Sequence, residues 1–231
     1  MRGGHLGGTS ERAFAAGPLP RLLLLTDRSM VPAGRNLIGT VRAAIEGGAR
    51  AVVLRERDLP AAARAMLADQ VQALLLPVGG ALILASAAPP GWSFPLAGRH
   101  LRRTEELPVK RPTWLGRSTH SADELLKAAS EDCDYVTLSP VALTRSKIGY
   151  GPPLGVTGFG SMLTDASLDK ALPAVFALGG VDQDNAGSFL EAGAHGVAVM
   201  GPVMRSDNPA QTVADLLTQI PTETASTLTA S

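Results

Sequence analysis

The sequence has little of what would place it in most specialised classes. Its 231 residues include one cysteine, Cys133, so it can build neither an internal disulfide nor a cysteine-based zinc site, which suits a reducing, cytoplasmic setting. Neither sign of charge prevails, because 21 Lys and Arg balance 21 Asp and Glu. A neutral chain carries no electrostatic footprint for nucleic acid or an acidic membrane surface, and neither partner is expected. Long apolar runs are missing too. The longest unbroken run of Leu, Ile and Val is Leu22–Leu25, against the roughly 20 apolar residues needed to span a bilayer. That run stops at Thr26-Asp27-Arg28 without a small-residue cleavage site, so it does not read as a secretory signal. Aromatic residues make up only 4%, which leaves Ala, Val and Leu to build the core.

With 45% hydrophobic residues, the chain has enough apolar material to fold. Residues 1–20, rich in glycine, read as a disordered leader, and 221–231 as a polar tail. Between them, eight apolar runs of strand length recur: Leu22–Thr26, Ala51–Arg55, Ala81–Ala85, Gly98–Leu101, Thr113–Arg117, Asp134–Leu138, Ala174–Leu178 and Gly196–Met200. Most are continuous rather than alternating, the pattern of parallel strands covered on both faces. Helical stretches separate them: Asn36–Glu46, Pro60–Gln72, Ser121–Ala129, Asp182–Glu191 and Pro209–Gln219. Ser121 with Glu124 forms a capping box, while Asp182 and Asn208 are expected as N-caps. Gly47-Gly48-Ala49 and Ala192-Gly193-Ala194 supply left-handed turns into the next strand. Strand and helix alternating in this way predict an α/β fold, a single (β/α)8 barrel over residues 21–220. Prolines in Ser86–Ala97 make the third α element short or irregular. An open doubly wound sheet is the alternative, but it needs a Gly-rich turn after the first strand, where Thr26-Asp27-Arg28 stands.

A barrel of this kind does its chemistry where strands end, and it commonly holds phosphate after strands seven and eight. Gly179-Gly180 and Gly201 fall there, allowing backbone N–H groups to approach an anion, although tight packing turns would look the same. Arg55 and Arg57 share one strand face and Glu56 the other, so two guanidiniums can aim into the mouth while Glu56 pairs with a neighbouring arginine. Thr144-Arg145-Ser146-Lys147 offers hydroxyls and cations on a glycine-hinged loop, which either closes over a phosphate or stays a solvated surface loop. Among the histidines, His5 lies in the leader, His195 at the stability end, and His100 reads as a hydrogen-bonded structural residue. His120, just past strand five, is the acid/base candidate, with capping of the next helix as its plainer role. The strand ends also gather Arg28, Arg102, Arg103 and Arg117, which suggests a cationic mouth.

Taken together, LLLLTDR (Leu22–Arg28), LRERD (Leu54–Asp58), LGRSTHSADE (Leu115–Glu124), DYVTLSPVALTRSK (Asp134–Lys147), GYGPPLG (Gly149–Gly155), FALGGVDQDNA (Phe176–Ala186) and AGAHGVAVMGPVM (Ala192–Met204) resemble the thiamine phosphate synthase/TenI family. The resemblance implies a TIM barrel and a small phosphorylated substrate. Synthase members join hydroxymethylpyrimidine diphosphate to a thiazole phosphate, releasing pyrophosphate with Mg²⁺; TenI members bind thiazole phosphates and, where active, tautomerise one. It assigns Gly179, Gly180, Met200 and Gly201 to the thiazole phosphate. Arg55, Arg57, Ser118, Thr144, Ser146 and Lys147 match positions that contact the pyrimidine or its diphosphate.

Departures qualify the match. Val53 replaces a glutamine, Ala85-Ser86 replaces the Asn-Asp that supplies a Mg²⁺ ligand, and the second metal carboxylate aligns with Glu105 at best. Mg²⁺ wants hard oxygen ligands in near-octahedral geometry, so no metal is expected unless the synthase reading holds. The catalytic histidine of the TenI tautomerase falls at Pro140, leaving His120 or Glu56 for proton transfer. The expected function is therefore a TenI-like thiazole phosphate-binding protein. The alternatives are a diverged synthase that uses Thr144, Ser146 and Lys147 for the leaving pyrophosphate, and a non-catalytic phosphate-binding barrel. A homo-oligomer is left open.

Overall fold

Unbroken apolar runs become buried parallel strands because nothing along them prefers water on either face. The computed structural model describes residues 17–85, 97–143 and 152–221. Its strands are β1 (Leu22–Leu25), β2 (Ala51–Leu54), β3 (Ala81–Leu84), β4 (Gly98–Leu101), β5 (Trp114–Thr119), β6 (Tyr135–Leu138), β7 (Ala174–Leu178) and β8 (Gly196–Val199). They pair in parallel in sequence order, and β8 closes on β1 through Leu23 opposite Ala198. This is the expected barrel, with each strand inside or within two residues of its apolar run.

Strand alternation divides the core into two layers. Leu23, Leu25, Val53, Ile83, Tyr135 and Phe176 fill the barrel interior. Leu22, Leu24, Val52, Leu54 and Val136 face outward against helix residues such as Val41, Val71, Leu125 and Phe159. Each such fully buried side chain stabilises the fold by about 1.5–3 kcal/mol. Inside, Gly116 on β5 leaves the space that the Tyr135 ring occupies, since a Cβ there would overlap the ring. Phe176 meets that ring edge-on, with centroids 5.7 Å apart.

The helices are α1 (Leu37–Glu46), α2 (Ala61–Leu75), α3 (Ala122–Ser130), α4 (Gly155–Asp169), α5 (Ala186–Glu191), α6 (Gly201–Met204) and α7 (Pro209–Thr218). Asn36 and Asn208 cap α1 and α7 by accepting from Gly39 N and Gln211 N. At α3, Ser121 accepts from Glu124 N, but the Glu124 carboxylate reaches back one residue further, to His120 N at 2.7 Å. Gly48 and Gly193 adopt φ of 110° and 103° after α1 and α5, where an L side chain would be strained.

Three expectations need correction. Asp182 does not cap α5: its carboxylate accepts from Asp184 N in a tight turn, and the helix starts four residues later. Helix α4 was not anticipated, although Phe159, Leu163 and Ala166 recur at helical spacing on its buried side. The β4–β5 connection, residues 102–113, contains no helix, while the irregular element expected after β3 falls at 86–96, outside the described residues. Likewise, most of the leader lies outside them. Where it is described, Leu19 packs against the interior cluster and its carbonyl meets His195 Nε2 at 3.3 Å, so that part is anchored to the barrel floor. Among the described residues, no helix is long and apolar enough to cross a membrane.

Candidate functional site

A cavity of about 410 Å³ opens at the C-terminal ends of the strands. Residues at and just beyond the strand ends build it. From β2, Arg55 and Arg57 enter together, as alternation requires, while Glu56 turns away. From β4 and β5 come His100, Ser118 and His120; from β7 and β8 come Gly179, Gly180, Met200, Gly201 and Arg205. Asp27 and Asp182 also line it.

Its electrostatics are set by arginines without acidic partners. Among the described residues, Arg55, Arg57 and Arg205 make no ion pair. Burial, followed by the neighbouring charges of Arg102 and Arg55, pushes the half-buried Arg57 guanidinium down to about 10, and it is still a cation at neutral pH. Arg57 donates to the Ala85 carbonyl, and the Arg55 guanidinium lies against the Met200 sulfur. Unpaired cations held in a half-closed cleft favour an anionic ligand.

The turn after β7 is shaped for close backbone approach. Gly179 and Gly180 have φ of 92° and 76°. A Cβ on Gly180 would lie 2.5 Å from the Leu143 carbonyl oxygen. The Arg205 head group lies against Gly201, which opens α6 and so presents an N–H without a helical partner. Replacing Gly180 by Ala should therefore abolish anion binding at this turn and destabilise the protein by about 2 kcal/mol or more, combining a strained left-handed residue with a backbone clash. Isothermal titration with inorganic phosphate and urea unfolding would measure both effects, and a variant indistinguishable from wild type would refute this role for the turn.

Two histidines line the cavity in different surroundings. His120 places Nδ1 2.6 Å from the Ser139 carbonyl oxygen. A carbonyl only accepts, so Nδ1 carries a hydrogen, and in the neutral ring the lone pair is therefore on Nε2. His100 is buried between Tyr135 OH at 3.2 Å from Nδ1 and Ser118 Oγ at 2.9 Å from Nε2. Burial first, then the charges of Arg57, Arg55 and Arg117, push its pKa down from 6.5 to about 3. Its folded-state pKa lies below the unfolded value, so the unfolded chain binds the extra proton and stability falls as pH drops below about 6.5. Between pH 7 and pH 5 His100 should remove about 2 kcal/mol of stability, a loss absent from His100→Gln in paired urea titrations.

The other expected site residues separate clearly. Glu56 is buried outside the cavity and accepts from Arg28 N at 3.2 Å and Arg28 Nη1 at 3.0 Å, leaving its carboxylate committed to structure. Thr144, Ser146 and Lys147, with Arg145, lie outside the described residues. Glu105 pairs with Arg99 at 3.0 Å and accepts from Arg102 N at 3.1 Å. Among the described residues no three His, Cys, Asp or Glu side chains gather as a metal site. A carboxylate already held by arginine, beside a mouth of unpaired cations, does not fit the Mg²⁺ that the family resemblance implies.

The cationic mouth is narrower than expected. Arg28 pairs with Glu56 and Asp58, and Arg103 with Glu124. Arg117 faces outward, 1% exposed, ion-paired with Glu131 and donating to the carbonyls of Arg102, Arg103 and Glu105. Its neighbour Ser118 points inward, and adjacent residues of one strand cannot share a face. Sequence reading missed Arg205, whose signal was its place four residues after Gly201, one helical turn along.

Comparison with known proteins gives a consistent answer. The family model described as thiamine monophosphate synthase (TMP-TENI) matches residues 22–203. A Geobacter sulfurreducens relative provisionally named thiamine-phosphate synthase is 34% identical over 210 residues, 88% of this chain and 95% of its own. The thiamine-phosphate synthase of Synechocystis is 31% identical over 192 residues, 80% of this chain but only 54% of that longer protein. Among solved structures, thiamine phosphate pyrophosphorylase from Pyrococcus furiosus shares the fold, with a TM-score of 0.70 at 23% identity over 86% of this chain and 94% of that one.

Proposed function

Since the chain belongs to the thiamine monophosphate synthase (TMP-TENI) family, we propose that its cavity binds a thiazole phosphate and that His120 moves a proton on it, in a TenI-like tautomerisation. The observation that carries this reading is the bond from His120 Nδ1 to the Ser139 carbonyl, which in the neutral ring leaves the lone pair on Nε2 of a side chain lining the cavity. The phosphate would sit on the backbone of Gly179, Gly180 and Gly201, with Arg205 neutralising its charge. Nε2 would then take a proton from a carbon of the ligand, and the imidazolium so formed would return it at a second position. The bond broken and the bond made both hold hydrogen, so no atom is gained or lost. Ser139, accepting from Nδ1, would keep the ring oriented through both steps.

A synthase reading is favoured by a different observation. Three arginines without an ion pair among the described residues exceed the need of one phosphomonoester, and the named relatives are thiamine-phosphate synthases. Here Arg55 and Arg57 would face a diphosphate, with Thr144, Ser146 and Lys147 proposed to assist its departure.

One pair of assays separates the two. Incubating thiazole carboxylate phosphate in D₂O should show enzyme-dependent exchange and isomerisation by NMR. Incubating thiazole phosphate and hydroxymethylpyrimidine diphosphate, with and without Mg²⁺, should show no thiamine phosphate by mass spectrometry. Thiamine phosphate in the second assay, with no exchange in the first, would overturn the tautomerase in favour of the synthase.

A further inference from the structure

One buried chain of polar groups beside the cavity has no part in the proton transfer assigned to His120. It runs from Tyr135 on β6 through His100 on β4 to Ser118 on β5, where it reaches the cavity wall. Tyr135 and His100 are 0% and 3% exposed, and their rings stack at 5.5 Å with 27° between planes. The space for this arrangement is created by Gly116, which lets the Tyr135 ring cross the interior.

Counting donors fixes its direction. His100 is neutral, because burial and the charges of Arg57, Arg55 and Arg117 oppose an imidazolium. Burial also raises the Tyr135 phenol above its ordinary range, so its O–H is retained. A neutral imidazole has one donor and one acceptor. If Nδ1 were the donor, Tyr135 would accept, and its own O–H would lie in the apolar interior with no acceptor among the described residues. An unmet buried donor costs about 1–3 kcal/mol. Placing the proton on Nε2 satisfies every group: Tyr135 donates to Nδ1, and Nε2–H donates to Ser118 Oγ.

We propose that Tyr135 and His100 act as positioning residues that fix the polarity of Ser118, so that its hydroxyl hydrogen is directed into the cavity and the site selects a hydrogen-bond acceptor on the ligand. Ser118 already accepts from His100, and this leaves its O–H free to donate. A ligand offering an oxygen or an unprotonated ring nitrogen at that point receives this hydrogen bond, whereas one offering an N–H there is accepted only if the hydroxyl hydrogen turns out of the cavity, so the acceptor-edged ligand binds more tightly. The cavity thus has a built-in discriminator between acceptor-edged and donor-edged ligands that are otherwise alike in shape. The ligand part rests on the thiazole phosphate reading; the polarity of the chain does not.

The test has two parts, so that failure of one reading is not mistaken for failure of the other. The first needs no ligand. In ¹⁵N-histidine-labelled protein at pH 6 to 8, the His100 ring, assigned by its disappearance in His100→Gln, should show the Nε2–H tautomer. An Nδ1–H tautomer or an imidazolium would overturn the proposal. The second uses thiazole phosphate in calorimetric titrations. Ser118→Ala should weaken binding about tenfold, the loss of one hydrogen bond. His100→Leu should weaken it similarly, and His100→Gln, whose amide nitrogen can still donate to Ser118, should restore most of it. Equal binding by His100→Leu and wild type would refute the positioning role. If wild type fails to bind thiazole phosphate, the functional reading falls while the tautomer measurement still decides the polarity.

Discussion

Replacing His120 by glutamine should lower kcat for ligand isomerisation by about 10²–10⁴-fold, the usual contribution of a positioned acid or base. KM should change little, because the groups proposed to hold the phosphate are elsewhere, on Gly179, Gly180, Gly201 and Arg205. Glutamine keeps an N–H able to reach the Ser139 carbonyl but has no titratable lone pair. Steady-state kinetics with thiazole carboxylate phosphate would measure this split. A variant that loses binding and turnover together would place His120 in ligand anchoring instead. One that keeps full activity would remove it from the chemistry, and Glu56 is poorly placed to replace it, being committed to Arg28.

Arg117→Met should destabilise the fold by about 3 kcal/mol or more, the cost of breaking a buried ion pair from one side. Arg117 and Glu131 meet at 2.7 Å, an ion pair without hydrogen-bond alignment. The same guanidinium ties down the carbonyls of Arg102, Arg103 and Glu105 in the helix-free β4–β5 connection. Methionine fills part of the volume but leaves those carbonyls without their donor and Glu131, among the described residues, with only Lys127, 3.8 Å away. Urea unfolding gives the value, and a loss under 1 kcal/mol would show that the strut is dispensable. The double variant Arg117→Met, Glu131→Leu should lose less than the sum of the single changes, because no charge is then stranded.

How far the sequence carries can be seen on neighbouring residues. Arg55 and Arg57 were legible as a cavity pair because alternation along β2 puts them on one face and Glu56 on the other. The same rule applied to β5 separates Arg117 from Ser118, yet charge at a strand end made both look like mouth residues. The turn glycines were legible because few other residues tolerate their φ. Arg205 was not, since an arginine on a short helix resembles any surface arginine until the turn it covers is known. The donor chain from Tyr135 to Ser118 joins β4, β5 and β6, and no local pattern links residues on three strands.

By itself the sequence determined the family, the closed parallel barrel and the strand ends where ligand chemistry gathers, because apolar periodicity, turn glycines and motif order are local and survive without coordinates. Only the tertiary structure decided which charges act. With 21 cations and 21 anions in the chain, pairing depends on distance and burial: Arg28, Arg103 and Arg117 are neutralised by carboxylates brought beside them, while Arg55, Arg57 and Arg205 reach the cavity without one among the described residues. Coulombic attraction and desolvation are properties of positions in space, and residue counts along a chain do not contain them.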